Sequence, residues 1–240
     1  MSRRWRSRAI LGALLVAVLW RGTGAHAEDV APAHETMRVA YRLYYSGVPV
    51  GEVIEVWTRT GDNYDIVSTA QPYAVLQWLA PSFQETSRGI VLEQDLRPVH
   101  FEHARNDATQ RFASDFHWDT GLLEQHFDGK TETVPLPPGT QDMLSIKYLY
   151  RVAGKTMLGR DISMSTGKKL EVHHLVAHET GETVTDAGRF KTLYVGDEGE
   201  QAPSRFELWL PEDRRYPPVR MRVTERGHQW EQRMLRVEME

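Results

Sequence analysis

Hydrophobic and polar residues alternate one by one along most of the chain after residue 38. In the first such segment, Val39, Tyr41, Leu43 and Tyr45 occupy every second position. Because successive side chains of a β-strand point to opposite faces of a sheet, this period predicts strands with one buried face. Sequences rich in Gly, Asp and Asn separate the segments, and Asp128-Gly129 is a strong signal for a two-residue hairpin. About twelve short strands are predicted at this spacing.

One segment breaks the alternation and predicts a helix around residues 141–153. Asp142 is placed to accept hydrogen bonds from amide groups of the first helical turn. Lys147 and Arg151 lie four residues apart in the second half, where cations are favoured, and Gly154 is positioned to end the helix. The expected fold is therefore mainly β: a curved antiparallel sheet, barrel-like or a β-roll, with one helix packed against it.

The N-terminus predicts export. Four arginines within the first eight residues precede an apolar stretch, residues 9–20, which has the length of a signal-peptide core and is short for a membrane span. Ala25-His26-Ala27 supplies the small-x-small pattern of a signal peptidase site, so cleavage is expected after Ala27. The alternative is an uncleaved N-terminal anchor. The expected organisation is a signal peptide (1–27), a disordered leader (28–37) and a single β-rich domain (38–240) located in the periplasm.

Composition narrows the classes of partner and chemistry. Residues 1–27 contain five arginines and no acidic residue, so their removal lowers the formal net charge from −4 by five, to −9. Such a surface repels phosphate backbones, and nucleic-acid binding is not expected. No segment after residue 27 reaches the roughly 18 consecutive apolar residues of a membrane-spanning helix. The sequence has no cysteine, which excludes disulfides, thiolate metal sites, a cysteine nucleophile and a lipid-modified cysteine.

The helical segment carries a resemblance to a known family. Residues 139–151 resemble the motif of a Gram-negative family known as domain of unknown function 3108, and four further stretches (41–51, 89–98, 187–193 and 207–220) are similar to its segments in the same order. The resemblance implies a periplasmic β-rich protein without an agreed activity, and it supplies no catalytic residues. No cofactor is predicted. The motif residues, which we expect to be structural, are Gln141, Asp142, Ser145, Tyr148 and Arg151.

The candidate catalytic and metal-binding residues each lack a necessary partner in the sequence. Ser145 has no histidine or lysine tied to it by spacing, and no G-x-S-x-G elbow is present. His174 and His178 would share a strand face about 13 Å apart, too far for one ion with bonds of ~2 Å, and His173 would point to the other face. We predict neither a metal site nor catalytic residues. Whether the chain is an enzyme stays open, with a binding role favoured.

An apolar connection between two predicted strands is the candidate binding site. Residues 73–80 predict a short helical turn, and apolar residues in a connection are typical of a lid or pocket mouth, or of a loop folded into the core. The candidate ligand-contacting residues are Tyr73, Leu76, Trp78, Leu79 and Phe83.

Three functional hypotheses follow. The favoured one is a non-catalytic exported protein that binds an apolar or amphipathic small molecule or an envelope partner. The second is a periplasmic hydrolase, in one version a metal-assisted enzyme that uses His174 or His178. The third is an envelope assembly factor whose exposed strand edge adds to the sheet of a partner protein.

Overall fold

Within the part of the chain that the structure describes, fifteen strands form a single sheet, and most of them pair with the next strand of the sequence. The computed structural model describes residues 34–76, 82–106, 110–197 and 204–240. The strands are β1 (His34–Tyr45), β2 (Val48–Thr60), β3 (Asn63–Pro72), β4 (Phe83–Val91), β5 (Leu96–Arg105), β6 (Arg111–His117), β7 (Leu122–Phe127), β8 (Lys130–Pro135), β9 (Gln141–Asp142), β10 (Asp161–Ser165), β11 (Leu170–Thr185), β12 (Gly188–Asp197), β13 (Ser204–Pro211), β14 (Arg220–Glu225) and β15 (His228–Met239). Their order is β8-β7-β6-β5-β4-β3-β2-β1-β15-β14-β13-β12-β11-β10-β9. The mainly β prediction is confirmed.

Alternation sets the inner face of the sheet. In β2, Val53, Glu55 and Trp57 are buried and the residues between them are only half-buried. Asp128 and Gly129 have positive φ angles of 51° and 71° in the hairpin between β7 and β8, as expected for a two-residue turn that matches the strand twist. Only the β9–β10 pair is parallel among the described strands. About twelve strands were expected from the sequence, fewer than the fifteen described, because a two-residue strand such as β9 shows no alternation.

The first and last strands join the two halves of the sheet. β1 pairs antiparallel with β15, so that Met37 lies opposite Met239, and pairs on its other side with β2. β1 begins at His34, so residues 34–37 belong to the sheet and not to a disordered leader as predicted. The polar sequence before Met37 hid this strand, although the Met37 side chain itself is fully buried.

One α-helix, α1 (Ser145–Ala153), packs on the inner face of the sheet and continues into a 3₁₀ turn, Gly154–Met157. The side chains of Ile146, Tyr148 and Leu149 are fully buried there. The predicted helix start near residue 141 is wrong: residues 141 and 142 form β9 and pair with Met164 and Ser165 of β10. The predicted end is confirmed, since Gly154 caps the helix with a φ of 59°.

The sheet curls without closing. β8 and β9 are its terminal strands, yet β9 also contacts β5. The hydroxyl of Ser165 in β10 is 2.7 Å from the Ser114 hydroxyl in β6 and accepts a 3.1 Å hydrogen bond from Gln125 in β7. The two ends of the sheet therefore meet through buried side chains, which gives the barrel-like curl that the sequence predicted.

Candidate functional site

The family motif lies at the centre of the fold, where the chain passes from β9 into α1. The side-chain amide nitrogen of Gln141 (Nε2) donates hydrogen bonds to the Leu96 carbonyl at 2.8 Å and to the Asp95 carboxylate at 3.2 Å. These bonds attach β9 to the start of β5, on the opposite half of the sheet. Gln141 Oε1 is buried and finds no hydrogen-bond partner among the described residues.

The carboxylate of Asp142 organises the start of the helix. Its Oδ1 accepts hydrogen bonds from the backbone amides of Leu144 and Ser145, both at 2.8 Å, and its Oδ2 accepts one from the Ser87 hydroxyl at 2.6 Å. Ser145 completes the turn by accepting the Asp142 amide at 2.8 Å. Burial raises the pKa of Asp142 to about 6, although the hydrogen bonds from Ser87 and the two amides oppose this rise. The Asp142 carboxylate thus takes the place of a conventional N-cap side chain.

A second buried carboxylate, Glu55, binds the next turn of the helix. It forms an ion pair with Lys147 and accepts hydrogen bonds from the hydroxyl groups of Tyr148, at 3.0 Å, and Ser68, at 3.4 Å. Both Glu55 and Lys147 are almost entirely buried. Burial, followed by the nearby Glu55 charge, raises the pKa of Tyr148 well above its ordinary value, so this tyrosine is a hydrogen-bond donor at neutral pH.

Aromatic stacking completes the attachment of the helix. The Trp57 ring lies between those of Tyr64 and Tyr148, with centroid distances of 5.3 and 4.9 Å. Arg151 places its guanidinium 5.6 Å from the Trp57 ring centre and pairs with Glu35. These rings and charges hold α1 against β1, β2 and β3.

The polar groups of the motif bind one another and the neighbouring strands. The Ser145 hydroxyl is bonded to the backbone of Asp142 and not to a histidine, so the hydrogen-bonded base that activates a serine nucleophile is not in contact with it. The strand partners of the motif, among them Glu55 and Ser87, were not predicted from the sequence. A charged residue at an inward position of β2, between Val53 and Trp57, was the available signal for Glu55.

The structure describes three of the five candidate ligand-contacting residues. Tyr73 and Leu76 lie in one turn after β3, where the Leu76 amide donates to the Tyr73 carbonyl at 2.7 Å and a 3₁₀ helix spans Ala74–Leu76. Phe83 begins β4, and its ring stacks on His103 at 5.0 Å. Trp78 and Leu79 lie outside the described residues. We call residues 73–76 the apolar turn.

The histidines of β11 are distributed over both faces of the strand. His174 is partly exposed and 2.7 Å from the Asp161 carboxylate, and His178 stacks on the Tyr194 ring at 5.0 Å. His173 is buried, 2.8 Å from Asp197. Among the residues that the structure describes, no group of three or more His, Asp or Glu side chains is arranged to hold a metal ion.

His173 is a buried cation between two carboxylates. Its Nδ1 is 2.8 Å from Asp197 Oδ2 and its Nε2 is 3.6 Å from Glu171 Oε2. Burial lowers the pKa of His173, but the hydrogen bond with Asp197 and the negative charges of Asp197 and Glu171 outweigh it and raise the pKa to about 9. The close, positively charged His173, followed by the Lys169 ammonium at 2.6 Å, lowers the pKa of Glu171 to about 2. Asp197 also accepts the Phe206 amide at 3.0 Å, so this group ties β11, β12 and β13 together.

These features define a curled, mainly antiparallel β protein whose one described α-helix is fixed to the inner face of the sheet by buried carboxylates. The crystal structure of a β-barrel-like protein of the domain of unknown function DUF1849 from Brucella abortus has a similar fold, with a TM-score of 0.54 and 13% sequence identity over 88% of this chain and 100% of that chain. A family model described as protein of unknown function (DUF3108) matches residues 40–226, and the chain belongs to this family. A search of curated proteins found no match. None of the described helices is long and apolar enough to cross a membrane.

Proposed function

We propose that this chain is an exported periplasmic protein that binds an amphipathic small molecule without transforming it. The signal-like N-terminus supports export, because its arginine cluster, short apolar stretch and Ala25-His26-Ala27 have the features of a cleavable signal peptide. The use of Asp142, Ser145 and Tyr148 in attaching α1 supports a non-catalytic role, since these motif residues already have intramolecular partners.

The observation that carries the proposal is the exposure of the apolar turn. Val75 is 77% exposed, although burying a valine side chain is favourable by about 1.5 kcal/mol or more. Tyr73 and Leu76 flank it and are only half-buried. Exposed apolar residues grouped in one connection are typical of a surface that is covered when a ligand or partner binds.

The occupation of the inner face of the sheet by α1 supports the apolar turn as the ligand site. Leu144, Ile146 and Leu149 are fully buried there against the strands. A small amphipathic molecule suits a single exposed turn better than a protein partner, because a stable protein interface buries about 800 Å² on each side. The strand-edge alternative would use β8, whose first and last residues are Lys130 and Pro135. Lysine and proline on an edge strand oppose the addition of another strand.

The test measures the binding of an uncharged fluorescent probe, N-phenyl-1-naphthylamine, to residues 28–240. Val75→Ser and Trp78→Ala are expected to weaken binding roughly fivefold or more, because each removes apolar contact with the probe. Val172→Ser is the matched control, since Val172 is also exposed (65%) but lies in β11.

Thermal unfolding of the same variants separates a binding role from a packing role. The proposal expects the melting temperature of Val75→Ser and Trp78→Ala to stay close to that of the wild type. If stability and probe binding fall together, or if all three variants lose binding equally, the turn is a part of the core or the probe binds elsewhere, and the proposal is wrong.

A further inference from the structure

Three arginines from three neighbouring strands lie side by side on the outer face of the sheet. Arg233 of β15 is paired in register with Arg42 of β1 on one side and with Arg220 of β14 on the other. We call these residues the arginine row. Like charges directly opposite each other on neighbouring strands destabilise a sheet, so their arrangement calls for compensating charges.

One buried carboxylate supplies most of this compensation. Glu231 is 4% exposed and binds Arg220 Nη2 at 2.8 Å, Arg222 Nη2 at 3.0 Å and Arg233 Nε. Burial raises the pKa of Glu231, but the hydrogen bonds from Arg220 and Arg233 outweigh it and hold the pKa below its ordinary value. Glu231 is therefore ionised at neutral pH, and one negative charge is shared by three guanidinium groups.

The neighbouring carboxylates do not complete the neutralisation. Glu207 lies 3.6 Å from Arg222 Nη1 but also accepts a 2.6 Å hydrogen bond from the Tyr194 hydroxyl. Asp186 pairs with Arg42 at 2.9 Å. Arg205 also lies 3.9 Å from Glu207, so five guanidinium groups share these three carboxylates among the described residues.

Glu52 is a further carboxylate near Arg42, but it does not pair with Arg233. It lies opposite Arg42 on β2, on the side away from β15, and no ion pair joins it to Arg42 among the described residues. Arg233 thus shares its one carboxylate, Glu231, with Arg220 and Arg222, in a mature chain that is acidic as a whole.

Arg233 has the geometry of an anion-binding residue. Its guanidinium carbon lies 4.5 Å from the centre of the Tyr44 ring, and its Nε is used by Glu231. Its two terminal nitrogens make no hydrogen bond with any residue that the structure describes, and the side chain is 44% exposed. A guanidinium fixed by stacking and by one hydrogen bond loses little conformational entropy when its remaining donors bind a carboxylate or phosphate.

The arginine row ends two strands from the apolar turn. Glu52 of β2 lies in register between Arg42 of β1 and Gln71 of β3. Tyr73, the first residue of the apolar turn, follows Gln71 by two residues, and its amide donates to the Val50 carbonyl at 3.0 Å. The positively charged surface and the apolar turn are therefore two strands apart on the same sheet.

We infer that the arginine row binds a phosphate or carboxylate group, and that this group is the polar head of the amphipathic ligand whose apolar part contacts the apolar turn. The anion site is argued from the row alone, whereas its assignment to a head group rests on the proposed function. An anionic amphiphile would span the two surfaces, and a free anion would occupy the row only.

The experiment compares three compounds on residues 28–240 by isothermal titration calorimetry: dodecyl phosphate and dodecyl maltoside, both below their micelle-forming concentrations, and inorganic phosphate. Dodecyl phosphate is expected to bind most tightly. Arg233→Gln is expected to weaken it roughly tenfold, as for the loss of a charge-assisted hydrogen bond, and to leave dodecyl maltoside unchanged. Arg236→Gln is the matched control, because Arg236 lies on the same strand, is 58% exposed and pairs with Glu238 outside the row.

The variant Arg233→Lys and thermal unfolding measurements show whether a loss of binding is caused by unfolding. Lysine keeps the charge but not the paired donors, so it is expected to weaken dodecyl phosphate binding less than glutamine does, at an unchanged melting temperature. If both dodecyl compounds bind equally and Arg233→Gln alters neither, the proposed function stands and the inference is overturned. Binding of inorganic phosphate through Arg233 with no gain from the dodecyl chain supports the anion site and overturns the head-group assignment. If no dodecyl compound binds, the proposed function itself fails.

Discussion

The carboxylate of Asp142 is buried at the point where the chain leaves β9 and enters α1. It accepts hydrogen bonds from two backbone amides and one hydroxyl group. Asp142 therefore caps the helix although it lies three residues before the first helical residue. The sequence correctly indicated that this carboxylate binds amides of the first turn. The exact helix start was not predictable, because it depends on the pairing of residue 142 with Ser165 in a distant strand.

Substitution of Asp142 separates its hydrogen bonds from its charge. Asp142→Ala leaves two buried amides without an acceptor and is expected to lower the free energy of unfolding by about 3 kcal/mol. Asp142→Asn is expected to stay within about 1 kcal/mol of the wild type, because its amide oxygen accepts both backbone amides and its nitrogen donates to Ser87. Urea denaturation at pH 7 measures both. Equal losses for Asn and Ala would show that the negative charge itself is required.

The His173 cluster predicts a dependence of stability on pH. Because the pKa of His173 rises from 6.5 in the unfolded chain to about 9 in the folded protein, its stabilising contribution is complete below pH 6.5 and is lost between pH 6.5 and 9. The free energy of unfolding is expected to fall by about 2 kcal/mol across this window, after allowance for screening by solvent. His173→Gln should flatten the profile, whereas His174→Gln, at the partly exposed neighbour, should not. A flat wild-type profile contradicts the assignment.

At the scale of elements, α1 is fixed to the sheet by contacts between residues far apart in sequence. Lys147 and Glu55 are 92 positions apart, and no local pattern links them. The helix itself was predictable from the break in alternation and from Gly154. Its docking face was not, because the polar partners Glu55, Ser68 and Ser87 occupy inward positions that alternation assigns to apolar residues.

The buried ion pair between Glu55 and Lys147 gives a test of this docking. Lys147→Met leaves the Glu55 carboxylate buried without a cation and is expected to cost about 3–5 kcal/mol of unfolding free energy. The double variant Glu55→Gln/Lys147→Met should recover most of that loss, since glutamine still accepts from Tyr148 and carries no charge. Urea unfolding of the two variants measures both free energies. If the double variant is as unstable as the single one, the lost packing of Lys147, and not the unpaired Glu55 charge, is responsible.

For the whole molecule, alternation and turn residues predicted the fold class, the hairpins and the curl, and the motif in residues 139–151 predicted the family. The strand order was not predictable, because the pairing of β1 with β15 joins residues about 200 positions apart, such as Met37 and Met239. The arginine row was also hidden, since Arg42 becomes a neighbour of Arg233 and Arg220 only through that pairing. The proposed anion site is thus a product of tertiary structure, whereas the apolar turn is a local segment that the sequence indicated.

The most direct test of the central claim is native mass spectrometry of the full chain expressed in a Gram-negative host and purified from the periplasm without detergent. We expect a protein that begins at Glu28, carries a discrete extra mass, and releases an amphipathic compound with a phosphate or carboxylate group on denaturation. A periplasmic protein that starts at Glu28 but carries no bound compound, and that takes up none of the dodecyl compounds, would contradict the claim of ligand binding.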